Sequence, residues 1–203
     1  MYEASVLICI EFQSQKHATS AISLLLPNLY IAYDDKYPSA SKSDSREFIA
    51  ALSLLNDLTT SYPSQTSFNN QLRTLPSSIL PGKSAAGIWI RDLAAAIRQG
   101  NYAQFYRLSS LGTAARRLSI GTDNLSCVFS VSLHSLRMKL RADAWSVFLR
   151  VYLEVVDTHW EWIGRSIGME REEEVKEWLV EKQKAGDLEE KQGGWKVCRK
   201  RAP

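Results

Sequence analysis

The side chains able to do chemistry are few and dispersed. His17, His134 and His159 stand one to a segment in this 203-residue chain, without an HxH, HExxH or nearby Cys/Asp arrangement. Neither a metal triad nor a base relay can be built from them, so each is read as a surface or packing residue. Pro81-Gly82-Lys83-Ser84 looks like the end of a phosphate-binding loop, but that loop needs a Gly five residues before Gly82, and position 77 is Ser. Without a preceding strand, Ser84 is better read as the cap of the next helix. Asp34-Asp35 lacks the spaced oxygens of a calcium loop. No GxGxxG, GxSxG or paired-carboxylate motif stands out. The reading is therefore of a chain that is not an enzyme and uses no metal or cofactor.

Cys9, Cys127 and Cys198 are too far apart for a zinc pattern and odd in number, which fits a reducing intracellular compartment. No run of about 18 uncharged apolar residues occurs, so no membrane partner is expected. The formal charge of +3 conceals a segregation. Residues 91–150 carry nine basic and three acidic side chains, a balance of +6, whereas residues 170–192 carry five basic and nine acidic, a balance of −4. A basic middle is either a nucleic-acid footprint, a surface for an acidic partner, or a solvated face.

Apolar residues return at three- and four-residue spacing over 2–12, 17–33, 46–62 and 65–75, which predicts helices separated by short polar breaks at 34–46 and 76–84. Ser45 is read as an N-cap. A helix over 85–99 should end at Gly100, with Asn101 opening a short helix whose Tyr102, Phe105, Tyr106 and Leu108 fold back on it as a hairpin. A break over 112–123 then precedes about thirty residues without Gly or Pro, long enough for two helices. The end of the chain changes character. A short helix over 160–167, a break at Gly168, a second helix over 170–184 with Glu in its first turn, and a hairpin at 188–191 and 195–199 follow the order of a winged helix. The expected fold is mainly α: stacked helical hairpins over 1–157, a PCI-type repeat, and a winged-helix module with a small β-hairpin over 158–203.

Local motifs narrow this. Tyr2-Glu3 opening one apolar helix and Leu29-Tyr30 closing the next, then Glu47-Phe48-Ile49-Ala50 with Leu54-Leu55, resemble the leucine permease transcriptional regulator/GANP family of PCI proteins. The most specific match is Ala95 to Leu108, which is similar to the family's A…GNYxxFFxL signature, and Trp162-Ile163-Gly164-Arg165-Ser166-Ile167-Gly168-Met169 resembles its xxLGF turn. The chain begins inside what resembles the first motif and lacks the basic helix that usually precedes it, as a trimmed chain or an abbreviated member would.

The resemblance implies a nuclear, or nuclear and cytoplasmic, scaffold in mRNA processing or export. Its winged helix would pair with another PCI-domain protein and a small acidic Dss-type protein, and a basic surface would meet RNA or DNA. Trp178 and Trp195 are the partner-binding candidates. Lys196, Arg199, Lys200 and Arg201 on the wing, with Arg116, Arg117, Arg137, Lys139 and Arg141, are the nucleic-acid candidates. The alternative is a structural PCI subunit of a proteasome-lid, signalosome, translation-initiation or centrosomal assembly that binds no nucleic acid.

Overall fold

The computed structural model describes the chain apart from residues 1, 13, 38–44, 119–124, 153, 157–158, 170 and 199–203. Helices α1 (Tyr2–Glu11) and α2 (Gln15–Leu24) pair as a hairpin, and a π-helical turn, Leu25–Leu29, leads into α3 (Tyr30–Lys36). The bend falls at Leu26, whose φ of −111° and ψ of 130° are extended. Pro27 explains it, because proline disfavours helical geometry in the residue before it and has no N–H to continue the ladder. The second helical segment is thus longer than the periodicity suggests, and Asp34 and Asp35 lie in helix rather than loop.

Helix α4 (Ser45–Ser61) is buried almost all round: Phe48 to Leu55 and then Leu58 and Thr59 are inaccessible. A helix apolar on every side must be surrounded, and α4 packs against α5 (Thr66–Thr74), α6 (Ala85–Arg98) and the later α9 (Leu125–Val151). Two of its buried polar groups are satisfied, since Gln71 Nε2 donates to Ser53 Oγ at 2.7 Å and Thr59 Oγ1 to the Leu55 carbonyl at 2.8 Å. Phe129 of α9 packs on Phe48 and on Trp89, with ring centroids 5.0 and 5.8 Å apart.

A polar clamp joins α1 and α3 to α4. Tyr30 donates its hydroxyl to Glu3 Oε1 at 2.5 Å, and the Arg46 guanidinium pairs with Asp34 at 2.6 Å while lying over the rings of Tyr30 and Tyr33. Burial first, then the Glu3 carboxylate, pushes the Tyr30 phenol well above its ordinary range. The Tyr-Glu and Leu-Tyr pairs at the two ends of this segment therefore meet through Glu3 and Tyr30.

Ser84 caps α6 by accepting from the Gly87 N–H, and Asn101 caps α7 (Tyr102–Leu108) by accepting from Gln104 N–H at 3.1 Å. Gly100 turns between them at φ +64°, so α6 and α7 form the expected hairpin. Two expectations are corrected downstream. The break at 112–123 contains a helix, α8 (Leu111–Leu118), opened by Ser110 Oγ accepting from Thr113 N–H. The apolar stretch after it is one helix, α9, followed by a strand, β1 (Glu154–Val156), rather than two helices.

Helix α10 (Trp160–Ile167), helix α11 (Glu172–Lys184), and strands β2 (Leu188–Lys191) and β3 (Gly194–Val197) complete the chain. The sheet order is β1-β3-β2, antiparallel throughout, so the expected hairpin is extended to three strands by β1, with Val155 opposite Trp195. Among the described residues there are two apolar clusters. One runs from Val6 to Leu140 through the stacked helices, and the other comprises Ile163, Ile167, Val175, Leu179, Leu188 and Val197 with Trp145 and Phe148. Helix α9 serves both.

Candidate partner-binding groove

Where the second core begins, α9 changes its exposed face. Ala144, Val147, Phe148 and Val151 recur at helical spacing, so they form one stripe, and the stripe faces the Gly100–Asn101 turn and the last turn of α10. The space between is an open groove of about 500 Å³, lined also by Tyr102, Ala103 and Arg165. Val151 is 60% exposed and Val147 47%. At its end Tyr152 and Trp162 meet edge to face at 4.7 Å, with Phe148 4.9 Å from Tyr152 and 5.6 Å from Trp162. Aromatic side chains with one face packed and one face open carry much of the binding energy at protein interfaces.

The groove is held in place by a close approach. Gly168 ends α10 with φ +74°, and a Cβ built on it would fall 2.0 Å from the Tyr106 ring. Only glycine suits both the left-handed backbone and the contact. Arg141 straps the same corner, its Nε donating to the Ile167 carbonyl at 3.1 Å and its Nη2 to that of Gly168 at 3.2 Å. The Gly-Asn-Tyr turn and the Trp162–Met169 run, read separately in the sequence, are thus adjacent in space.

Three phenols on this side of the molecule, Tyr62, Tyr102 and Tyr106, are all pushed upward in pKa. Tyr62 donates its hydroxyl to Asp143 Oδ2, and desolvation followed by that carboxylate holds its pKa far above the ordinary value. Tyr102 is raised by the same two causes in the same order. Tyr106 is pushed up to about 12, mostly by burial, with Arg141 and Arg137 opposing. Among the described residues no cluster of three His, Cys, Asp or Glu could hold a metal ion, and no helix is long and apolar enough to cross a membrane.

The structure places the sequence candidates as follows. Trp178 is half-buried, edge-on to Trp145 at 6.4 Å, with Lys182 and Arg141 over its ring at 4.3 and 5.6 Å. Trp195 is half-buried against the second core. Both tryptophans pack within the module, and the aromatic that faces outward is Trp162, 40% exposed. A signal for it exists in Trp160-Glu161-Trp162: residues two apart on a helix point about 200° apart, so one of the pair must face out.

The basic candidates divide. Arg137 donates to Ser109 Oγ at 2.8 Å and to the Tyr106 carbonyl, Lys139 reaches across to the Thr59 carbonyl, and Arg141 forms the strap just described. These three are engaged in joining helices. Arg116 folds back onto the Gly112 carbonyl at 3.0 Å, and both it and Arg117 are exposed on α8. Lys196 is exposed on β3, but its register partners on either side are Glu154 and Glu189. Arg199, Lys200 and Arg201 lie outside the described residues. Among protein-family models none matches the chain, and no curated protein matches it.

Proposed function

We propose that this chain is a non-enzymatic scaffold subunit, a PCI-type helical stack ending in a winged-helix module, which pairs with a second PCI protein in nuclear mRNA processing or export. A small acidic protein of the Dss type is the third member of the assembly. The family and the pathway are what the resemblance of the sequence motifs implies. The topology supports the module reading, since helix, strand, two helices and a hairpin whose second strand carries the first strand is the winged-helix order.

The observation that carries the pairing is the groove with its exposed Val147, Val151, Tyr152 and Trp162. Scattered exposed apolar residues need no explanation, but a contiguous set around a groove marks an interaction site. One observation favours the alternative, a structural subunit that does not touch nucleic acid through its wing. Strand β2 presents Glu189 and Glu190, and the first turn of α11 carries Glu172, Glu173 and Glu174, which would meet phosphates with like charge.

The test is affinity purification of the tagged protein with and without nuclease, read by mass spectrometry, beside a Val151→Asp variant. A nuclease-resistant partner of the same architecture, lost with Val151→Asp, is the expected result. Equal recovery by both proteins, or no partner at all, would overturn the pairing.

A further inference from the structure

The face beside the groove carries both halves of a fit. Helix α10 turns Glu161, Trp162 and Arg165 to solvent, while Ile163, Gly164 and Ile167 of the same helix are buried. Trp162 stands 40% exposed at the end of the groove, so a projecting ring lies beside a hollow of about 500 Å³. A hollow of that size is in the range that covers drug-sized ligands, and an indole is smaller than those. Glu161 and Arg165, one turn apart, place an acid and a base on one exposed face, and their own ion pair spans 3.4 Å with both side chains more than half exposed.

The groove itself has little to offer a polar ligand. Asn101 Oδ1 accepts from the Gln104 N–H as the cap of α7, and Ser166 Oγ donates to the Trp162 carbonyl at 2.9 Å. What remains open is the apolar stripe of Val147 and Val151, with Arg165 as the charged residue of the lining. Such a surface takes an apolar side chain. An ion pair as solvated as that of Glu161 and Arg165 contributes little within one molecule, so both charges can be shared with a second.

We propose that the occupant of the groove is a second copy of this chain, in a two-fold pair that sets Trp162 of each molecule into the groove of the other. The inference rests on the pairing reading above and names the partner, the second protein of like architecture being this protein itself. A two-fold contact is made by the same patch on both molecules, where residue i meets j and j meets i, so the patch must hold both a knob and its hole and both signs of charge. A surface made for a different partner needs only one half of each. With α10 antiparallel to its copy across the axis, Glu161 of each molecule faces Arg165 of the other, and every contact is made twice. Few residues take part, so the pair is a weak one, with a Kd on the order of 10 μM.

The experiment is sedimentation equilibrium of the purified full chain from about 1 to about 200 μM, over which the mass should rise from 22.9 kDa toward twice that value. Trp162→Ala should weaken self-association about tenfold or more. Glu161→Arg and Arg165→Glu, each alone, should weaken it about tenfold at low salt, because the symmetry turns two attractive pairs into two repulsive ones at once. Mixed in equal amounts, the two charge variants should associate within about twofold of the wild type, since the reversed charge of one then faces the reversed charge of the other. All three positions are exposed, so unchanged thermal melts are expected, and recovery on mixing reads the contact independently of folding.

A monomer at every concentration would overturn the proposal. So would a mixture of the two charge variants that associates no better than either alone, or full self-association by Trp162→Ala. A monomeric chain whose capture of a different protein still depends on Val151 would sink this inference and leave the pairing reading standing, whereas a monomeric chain with no Val151-dependent partner would sink both.

Discussion

The two halves of α9 do opposite work with the same backbone. Its first half sends Phe129, Leu133, Leu136 and Leu140 into the stacked helices and turns His134 and Arg137 toward an open trough. Its second half sends Trp145 and Phe148 into the smaller core and turns Val147 and Val151 outward. On these outward positions one half thus shows the exposed imidazole of His134 beside an engaged Arg137, and the other shows the apolar Val147 and Val151. Burial in a core dictates only the inward stripe of a helix, so what the outward stripe carries is the better guide to what each half meets.

Substitutions can break this contrast, and the largest effect should come from the stack. Trp89 is 1% exposed, packs on Phe129 and donates its indole N–H to the Leu108 carbonyl at 2.9 Å. Trp89→Ala should lose about 4 kcal/mol in urea denaturation through the cavity and the orphaned carbonyl. Next, Gly168→Ala should lose about 3 kcal/mol by forcing the Tyr106 ring away from a strained turn. If near-ultraviolet circular dichroism showed Gly168→Ala altering only the module's tryptophans, the two cores would be separable. If the Phe48–Phe129–Trp89 cluster changed too, they would be one unit.

A smaller effect concerns Asp57 in α4, whose carboxyl is raised to about 6 by desolvation. Its folded value lies above the ordinary 3.8, so the folded state holds that proton more tightly. The contribution to stability is complete below about pH 4 and is lost as pH rises through about 6. With allowance for partial solvent screening, Asp57→Asn should recover about 1 kcal/mol at pH 8 and little at pH 4. Denaturation midpoints of the two proteins at both pH values check this. The smallest expected change in stability is for Val151→Asp, within about 0.5 kcal/mol because the side chain is already in water. A large loss there would mean that the second half of α9 is buried in the isolated protein.

Much of the helical stack was legible because its signals are local. Ser84 and Asn101 cap as their types require, Gly100 takes the left-handed turn, and α10 occupies the residues its periodicity marks. What escaped depends on partners distant in sequence. Strand β1 is three residues long and acquires its pairing only from β3, some forty positions later. Helix α8 opens with Ser110 and carries Ala114 and Leu118 at the right spacing, but Gly112 in its first turn disguised it. The roles of Arg137, Lys139 and Arg141 were illegible for a related reason. A basic residue on a helix looks the same in sequence whether it faces water or a neighbouring helix's carbonyl, and only packing distinguishes the two. The exposures of the module's tryptophans were illegible in the same way, since Trp178 and Trp195 are half-buried against its core while Trp162 is exposed at its edge.

The passage of α9 through both cores has a mechanical meaning. A helix of 27 residues is about 40 Å long, and this one contains neither Gly nor Pro between Leu125 and Val151, so it offers no hinge of the usual kind. The strap from Arg141 and the contact of Tyr106 with Gly168 brace it beside the junction. The angle at which the terminal module sits on the helical stack is therefore set inside the single chain. An assembly built on it would inherit that angle as its own geometry, as an arch inherits the cut of its stones.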